Sequence, residues 1–240
     1  MCGPPGGDMI IGMSLKRTVA LSLTGVLTAI VTALTAGGAA TAAEPLPDFD
    51  FSDCPALPTG ADPAQWRCEV LVSTGTLSFG NLSDVPLEPM RLTFAERWTG
   101  GPYEQEFGAL RSEPTPLPGL PGTSLRFRYG GYSDFQSNDE RKGEIDLVAA
   151  LEGPFLPRGC AIGTQADPIH SVLQQPGPTE VVSSDPLVLR FDSIDEQLAM
   201  PAVSGCGPWR GLLDHRLGLP SASGENVLEQ QTYVAIRHYG

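Results

Sequence analysis

The chain has 240 residues, 41% of them hydrophobic, and sets 15 Lys and Arg against 28 Asp and Glu for a formal net charge of −13. That length suits one good-sized domain or two small ones. Such acidity repels phosphate backbones and anionic lipid headgroups, so nucleic acids and membrane surfaces are excluded as partners unless a basic patch is assembled locally.

At the N-terminus, Lys16 and Arg17 precede an uncharged stretch over residues 18–35, and small residues follow up to Ala42 and Ala43. A basic region, an apolar region and a small-residue exit, in that order, predict a secretory signal peptide, with cleavage after Ala42 or Ala43 fitting equally well. A retained membrane anchor is the competing reading, because the stretch approaches bilayer-spanning length. Five threonines, with Ser22 and Gly25, dilute its hydrophobicity. Residues 1–12 fit neither reading, and Met13 is the more natural start. The expected organisation is a signal peptide over 1–43 and a single secreted β domain over 44–240, with no stable membrane insertion after cleavage. Residues 1–43 hold Lys16, Arg17 and Asp8, so their loss moves the net charge from −13 to −14.

Cysteine usage agrees with export. Cys2 falls in the discarded segment, which leaves Cys54, Cys68, Cys160 and Cys206 as candidate disulfide residues in an oxidising compartment. Four cysteines allow three pairings, and sequence alone does not choose among them. Cys54 with Cys68 is the local choice, closing a loop rich in Pro and Gly, and Cys160 with Cys206 then remains. There is no Cys-x-x-Cys pair and no Cys/His cluster of the kind zinc requires. Nor is Cys54 a lipidation site, since it lies about ten residues beyond the cleavage site.

Residues 44–65 are rich in Pro, Asp and Gly and predict an extended arm. Asp48, Asp50 and Asp53 alternate with Phe49 and Phe51 but lack the Gly and distal Glu of a calcium loop. A tethered arm or edge strand with its phenylalanines on the core is expected. From Trp66 the pattern has period two, the signature of strands with one buried face. Residues 68–72 and 74–79 predict a first strand bent at Gly75. Leu92, Phe94 and Trp98 alternate with Arg91, Thr93, Ala95 and Arg97, and residues 107–111 form a weaker run. Residues 113–122 hold too many prolines for an internal strand and predict a loop or edge segment. Clear alternation returns at Leu125, Phe127 and Tyr129, and at Ile145, Leu147, Ala149 and Leu151. Shorter runs follow over 160–163 and 169–173, then Leu187, Leu189 and Phe191. Residues 195–200 are ambiguous, and Thr232, Val234, Ile236 and His238 close the chain.

Residues 205–220 predict the one secure helix. Gly207 is a tolerable N-cap, Pro208 fits the first helical position, Gly218 supplies a left-handed stop, and Pro220 forbids continuation. Trp209, Leu212, Leu213 and Leu217 share one face, which a sheet should cover. Eight to ten short strands, one short helix near the C-terminus and no βα alternation make the chain mainly β. An antiparallel β-sandwich is the leading architecture, with a closed β-barrel as the alternative.

Phe51-Ser52-Asp53-Cys54-Pro55-Ala56-Leu57-Pro58, Trp66-Arg67-Cys68-Glu69-Val70, Cys160-Ala161-Ile162-Gly163 and residues 205–225 together resemble exported proteins of high-GC Gram-positive (actinobacterial) bacteria, a group with no assigned activity. The resemblance spans nearly all of the secreted region. It implies secretion and a shared architecture and carries over no functional residue.

No catalytic motif stands out. The nucleophile elbow Gly-x-Ser-x-Gly is absent; residues 131–135 come nearest and fail at the last position. His215 follows Asp214 and stands near Ser221 and Ser223, but a helix-end histidine needs no catalytic reason. His170 and His238 are equally unplaced. Acidic residues are too abundant for carboxylate pairs to be informative, and Trp66, Trp98 and Trp209 are each assigned to core packing. Metal motifs, phosphate loops and dinucleotide fingerprints are missing, so no cofactor is expected. Residues 130–140 mix aromatics, carboxylates and amides and predict a long turn, with recognition of a sugar or a partner as its functional alternative. The leading functional expectation is a non-enzymatic binding or interaction module, secreted or associated with the cell envelope, with a cell-wall or protein partner. An exported hydrolase is the alternative, favoured if a pocket brings one of the three histidines to a serine and a carboxylate.

The exported product should begin at Ala43 or Glu44, which intact-mass measurement of culture supernatant would decide; uncleaved protein found only with the membrane would contradict it.

Overall fold

The computed structural model describes residues 45–138 and 141–240, so the predicted signal peptide, start and cleavage site lie outside the described residues. Among the described residues twelve strands form in chain order: β1 (Trp66–Phe79), β2 (Leu82–Arg97), β3 (Gln105–Ser112), β4 (Thr115–Pro116), β5 (Ser124–Asp134), β6 (Gly143–Glu152), β7 (Ala161–Ile162), β8 (Ile169–Leu173), β9 (Glu180–Ser184), β10 (Leu187–Asp195), β11 (Val203–Ser204) and β12 (Val227–His238). They make two antiparallel sheets. The first runs β3-β2-β1-β12-β10-β9 and the second β11-β7-β6-β5-β4, with β8 also on β6. Both sheets keep free edges, so the architecture is the sandwich and not the barrel. Among the described residues no helix is long and apolar enough to cross a membrane.

The first strand bends as its glycine predicts. Its register with β2 shifts between Ser73 and Gly75, and a Cβ at Gly75 would lie 1.9 Å from the Glu229 carbonyl oxygen of β12. Only glycine lets the two backbones pass that closely. Strand β2 begins at Leu82, earlier than its alternation suggests and despite Pro86 and Pro89. Its partner β3 pairs only with Met90 to Glu96, so the proline half needs no donor on that side.

Of residues 130–140, for which composition predicts a long turn, 130–134 are strand and 135–138 carry no regular structure. Strand β5 continues to Asp134 through a bulge at residues 130–132, with Tyr129 opposite Leu147 and Ser133 opposite Ile145. Strand β9 escaped the pattern because nearly all of it is exposed, so no alternation marks it.

At one end the sandwich is filled. Leu77, Phe79, Leu125, Phe127, Leu151 and Ile162 are all buried there and belong to one apolar cluster with the helix. The helix itself departs from expectation at its start. Residues Gly207–Trp209 form a 3-10 turn, and α1 spans Arg210–Leu217 with Gly218 left-handed at φ 71° as its stop. The tighter turn breaks the 3.6-residue phase, so the predicted apolar face is only half covered. Leu213 and Leu217 are buried, whereas Trp209 and Leu212 remain 38% and 47% exposed. The helix sits against the β1–β2 turn, where Asn81 donates its backbone N–H to the Leu217 carbonyl and its amide to the His215 carbonyl.

The N-terminal arm crosses the outer face of the first sheet. It forms a 3-10 turn at Phe51–Asp53 and no strand. Cys54 is bonded to Cys68 of β1, and the Arg237 guanidinium of β12 lies 4.0 Å from the Phe51 ring. Asp53 accepts from Arg111 of β3 at 2.5 Å and from Arg91 of β2. The Arg111 guanidinium holds the Asp53 carboxyl below its ordinary range. Phe51 therefore stacks on a cation and does not enter the core. Val70, Thr93 and Val188, on this outer face, have no exposed surface, so the central strands are covered on both sides.

The second disulfide joins Cys160 to Cys206 and ties the β6–β7 loop to the segment entering the helix. The two bridges close loops of separation 14 and 46, for which loop entropy gives about 3 and about 4 kcal/mol. Replacing both Cys160 and Cys206 by Ser should therefore destabilise more than replacing Cys54 and Cys68. Denaturant unfolding of the two double variants measures the ranking.

Candidate functional site

The end of the sandwich away from the helix is hollow. A cavity of about 530 Å³ lies between the sheets, with its mouth framed by Gly101 and Tyr103 of the β2–β3 loop and by Gln136 and Ser137 beyond β5. Period two puts Arg67, Glu69, Leu71 and Ser73 of β1 on its wall. In register beside Leu71 stand Leu92 of β2 and Val234 of β12. Opposite them, β6 offers Gly143, Ile145 and Leu147, and β8 offers Ser171. Glycine and serine at Gly143 and Ser171, with Ser73 and Thr232 facing them, leave the space that Leu and Phe fill at the other end. Protein interiors seldom leave voids larger than a water molecule. A sealed void of this size would forfeit on the order of 10 kcal/mol of packing, comparable to the whole stability of a domain. The hollow is therefore open to water through its mouth and can exchange that water for a ligand.

The polar groups within the wall are mostly satisfied by one another. Ser73 and Thr232 hydroxyls lie 2.8 Å apart, and Ser171 donates to Asp195 Oδ2 at 3.0 Å. Nearer the mouth is a charged cluster. Arg67 Nε is 2.8 Å from both Glu69 Oε1 and Glu96 Oε1, and its Nη2 is 2.5 Å from Glu96. The Glu69 side chain is only 12% exposed. Burial, then the adjacent Glu96 charge, pushes its carboxyl up to about 7 against the pull of Arg67. Burial and Glu96 likewise push up the Tyr103 hydroxyl, which lines the mouth. Lys142, just before β6, lines the cavity and holds its Nζ 4.4 Å from the centre of the Phe191 ring. Burial lowers its ammonium pKa. Among the described residues, no carboxylate lies within ion-pair distance of it.

Glu69 and Glu96 are both committed to a single guanidinium, which neutralises one of the two charges. The cluster suits electrostatic recognition at the mouth of an apolar chamber.

The histidines do not assemble a catalytic triad. His170 lies outside, on the far face of the second sheet, with Nδ1 2.7 Å from Asp146 Oδ1 and Nε2 3.6 Å from Glu144. Tyr132 donates to Glu144 at 2.6 Å, and Arg141 pairs with Asp134 and Glu144. That cluster is a closed ion-pair network on an exposed surface. His215 is exposed on α1, while neighbouring Asp214 accepts the Val203 N–H and serves as a brace. Ser221 and Ser223 bond to Glu225 and to the Gln197 carbonyl. His238 packs edge-on against Trp98 at 5.3 Å. Trp66 is buried as expected, but Trp98 follows the end of β2, stands 48% exposed and lines the cavity mouth. Among the described residues no group of three or more His, Cys, Asp or Glu could hold a metal ion.

Arg67, Glu69, Glu96 and Lys142 were not legible as a site from sequence. One signal was present. Residues 68–72 are apolar on both parities, which marks a strand covered on both faces, and a Glu in such a strand is buried whichever way it points.

Fold and site together define an antiparallel β-sandwich with an internal, charged-mouthed apolar cavity. No protein-family model matches the chain, and no curated protein and no solved structure matches it.

Because folding raises the Glu69 carboxyl from 4.5 to about 7, the folded chain holds a proton there that the unfolded chain releases between those values. Stability from this group is full below the lower value and is lost as pH rises through the upper one. Unfolding measured from about pH 5 to about pH 8 should show this loss, on the order of 3 kcal/mol at most. Glu69→Gln should flatten it; an unchanged slope in the variant would show that Glu69 is not its source.

Proposed function

We propose that this chain is an exported, non-enzymatic binding protein of the cell envelope or its surroundings, and that the cavity between its sheets is the binding site. The observation that carries the reading is the cavity itself, about 530 Å³ of largely apolar space in a fold whose other end is packed solid. At the ~30 Å³ a water-sized group occupies in a liquid, it has room for on the order of twenty non-hydrogen atoms. That is the size range of small-molecule sites, and such sites combine apolar walls with a few placed polar groups. Export is supported by the basic and apolar N-terminal segment and by two disulfides, which persist in oxidising compartments. The resemblance to exported actinobacterial proteins, on the residues quoted above, agrees with it.

Leu71 stands midway along the wall, between Leu92 and Val234, so a larger side chain there occupies the chamber. An apolar, environment-sensitive dye should bind the wild-type protein with one-to-one stoichiometry. Leu71→Trp should weaken that binding at least tenfold while circular dichroism and thermal unfolding show a folded chain. Equal dye binding by the variant, or none by the wild type, would refute the cavity as the site.

A further inference from the structure

We infer that the cavity's ligand is an anionic amphiphile, a long-chain carboxylate whose head group pairs with Lys142 Nζ at the mouth while its chain lies between the sheets. The inference rests on the cavity being the binding site and names what enters it.

The argument begins with which charges near the mouth are already committed. Arg67 is engaged by two carboxylates at once, Glu69 and Glu96, and Arg97 pairs with Glu104 across the β2–β3 turn. Both guanidinium charges are thus already met by the protein's own carboxylates. Lys142 differs. Its ammonium lines the cavity, sits over the Phe191 ring, and among the described residues has no hydrogen-bond or ion-pair partner. A half-buried ammonium that meets the Glu69 and Glu96 charges only through space lacks the charge-assisted hydrogen bonds that usually offset its loss of water. A carboxylate supplies them.

The remaining wall sets the rest of the molecule. Below Lys142 lie Leu147, Leu173, Leu189 and Phe191, all lining the cavity, and a hydrocarbon chain is what such a surface desolvates at no polar cost. The hydroxyls of Ser73 and Thr232 bond to each other, and that of Ser171 to Asp195, so the chain leaves none of the three unpaired.

Charge count then selects a monoanion. The groups facing Glu69 are Arg67 on its own strand, Glu96 on β2, Tyr103 from the β2–β3 loop and Lys142 just before β6; β12 presents the neutral Ile236. With Glu69 and Glu96 both ionised they balance Arg67 and Lys142. When Glu69 carries a proton the cluster is left one positive charge in excess, which a single carboxylate neutralises. A phosphate monoester, with nearly two charges, would face Glu96 uncompensated. Carboxylate binding is therefore linked to proton uptake at Glu69, and weakens as pH rises through the neutral range.

The test displaces the cavity-bound dye with three probes of one chain length, dodecanoate, dodecan-1-ol and dodecylamine, at about pH 6 and about pH 8. At the lower pH dodecanoate should displace at least tenfold more effectively than the alcohol, the range of one charge-assisted hydrogen bond. The preference should shrink at the higher pH. Lys142→Met should bring dodecanoate to the level of the alcohol, with a several-fold smaller change for the alcohol itself, and Lys142→Arg should keep the preference. Glu69→Gln should keep it at both pH values. Displacement by the alcohol or the amine as strong as by dodecanoate, or an equal loss for all three probes in Lys142→Met, would overturn the inference while leaving the cavity as a binding site. A wild-type protein that binds neither dye nor probe overturns both.

Discussion

The pairing of β1 with β12 is the constraint on which the rest of the molecule depends. The first long strand lies antiparallel to the last, from Arg67 opposite His238 to Ser78 opposite Val227, so the middle of the main sheet closes only when both ends of the described region meet. The same pairing settles which residues face the cavity. A slip of one residue would carry Arg67, Glu69 and Leu71 to the outer face beneath the arm and turn Cys68 inward, away from Cys54. Disulfide, arm and cavity wall therefore specify a single register between them.

Along that frame the sandwich divides into two halves with different contents. Toward the helix, inward positions carry Leu77, Phe79, Phe127 and Leu151, and the sheets interlock. Toward the β2–β3 loop, the facing positions include Gly143, Ser171, Ser73 and Thr232, whose side chains are too short to meet across the gap. Lateral contacts join the sheets there at their sides. Phe107 of β3 stacks on Tyr129 of β5 with ring centres 3.7 Å apart, and Gln174 bridges to Ile194 on the opposite side. The packed half supplies stability and lets the hollow half exist.

The charged mouth follows from the arm as much as from the cavity. With Val70 and Thr93 sealed on the outer face, β1 and β2 are shielded from water on that side, and Glu69 and Glu96 are left to share one guanidinium in a low-dielectric corner. Two like charges beside one cation in such a place favour retaining a proton. Charge that would be inconsequential on the acidic outer surface weighs more there, because burial leaves less water to screen it.

Sequence by itself determined the class of this protein: period-two runs at 125–129, 145–151 and 232–238 mark strands with one buried face, and Gly218 with Pro220 marks a helix stop. These are local properties, set by backbone geometry and by which side chains alternate. The cysteines could be counted but not paired, because pairing depends on where distant segments meet. Tertiary structure alone decided that the sheets part at one end, since a void depends on the sizes of residues facing each other across the sandwich. It also decided that Arg67 and Glu69 meet Glu96 and Lys142, which lie on other strands and loops. Trp98 and Leu212 show the converse: both sit on apolar parity in the sequence, yet strand β2 stops at Arg97 and a 3-10 turn shifts the phase of α1, so each stays about half exposed.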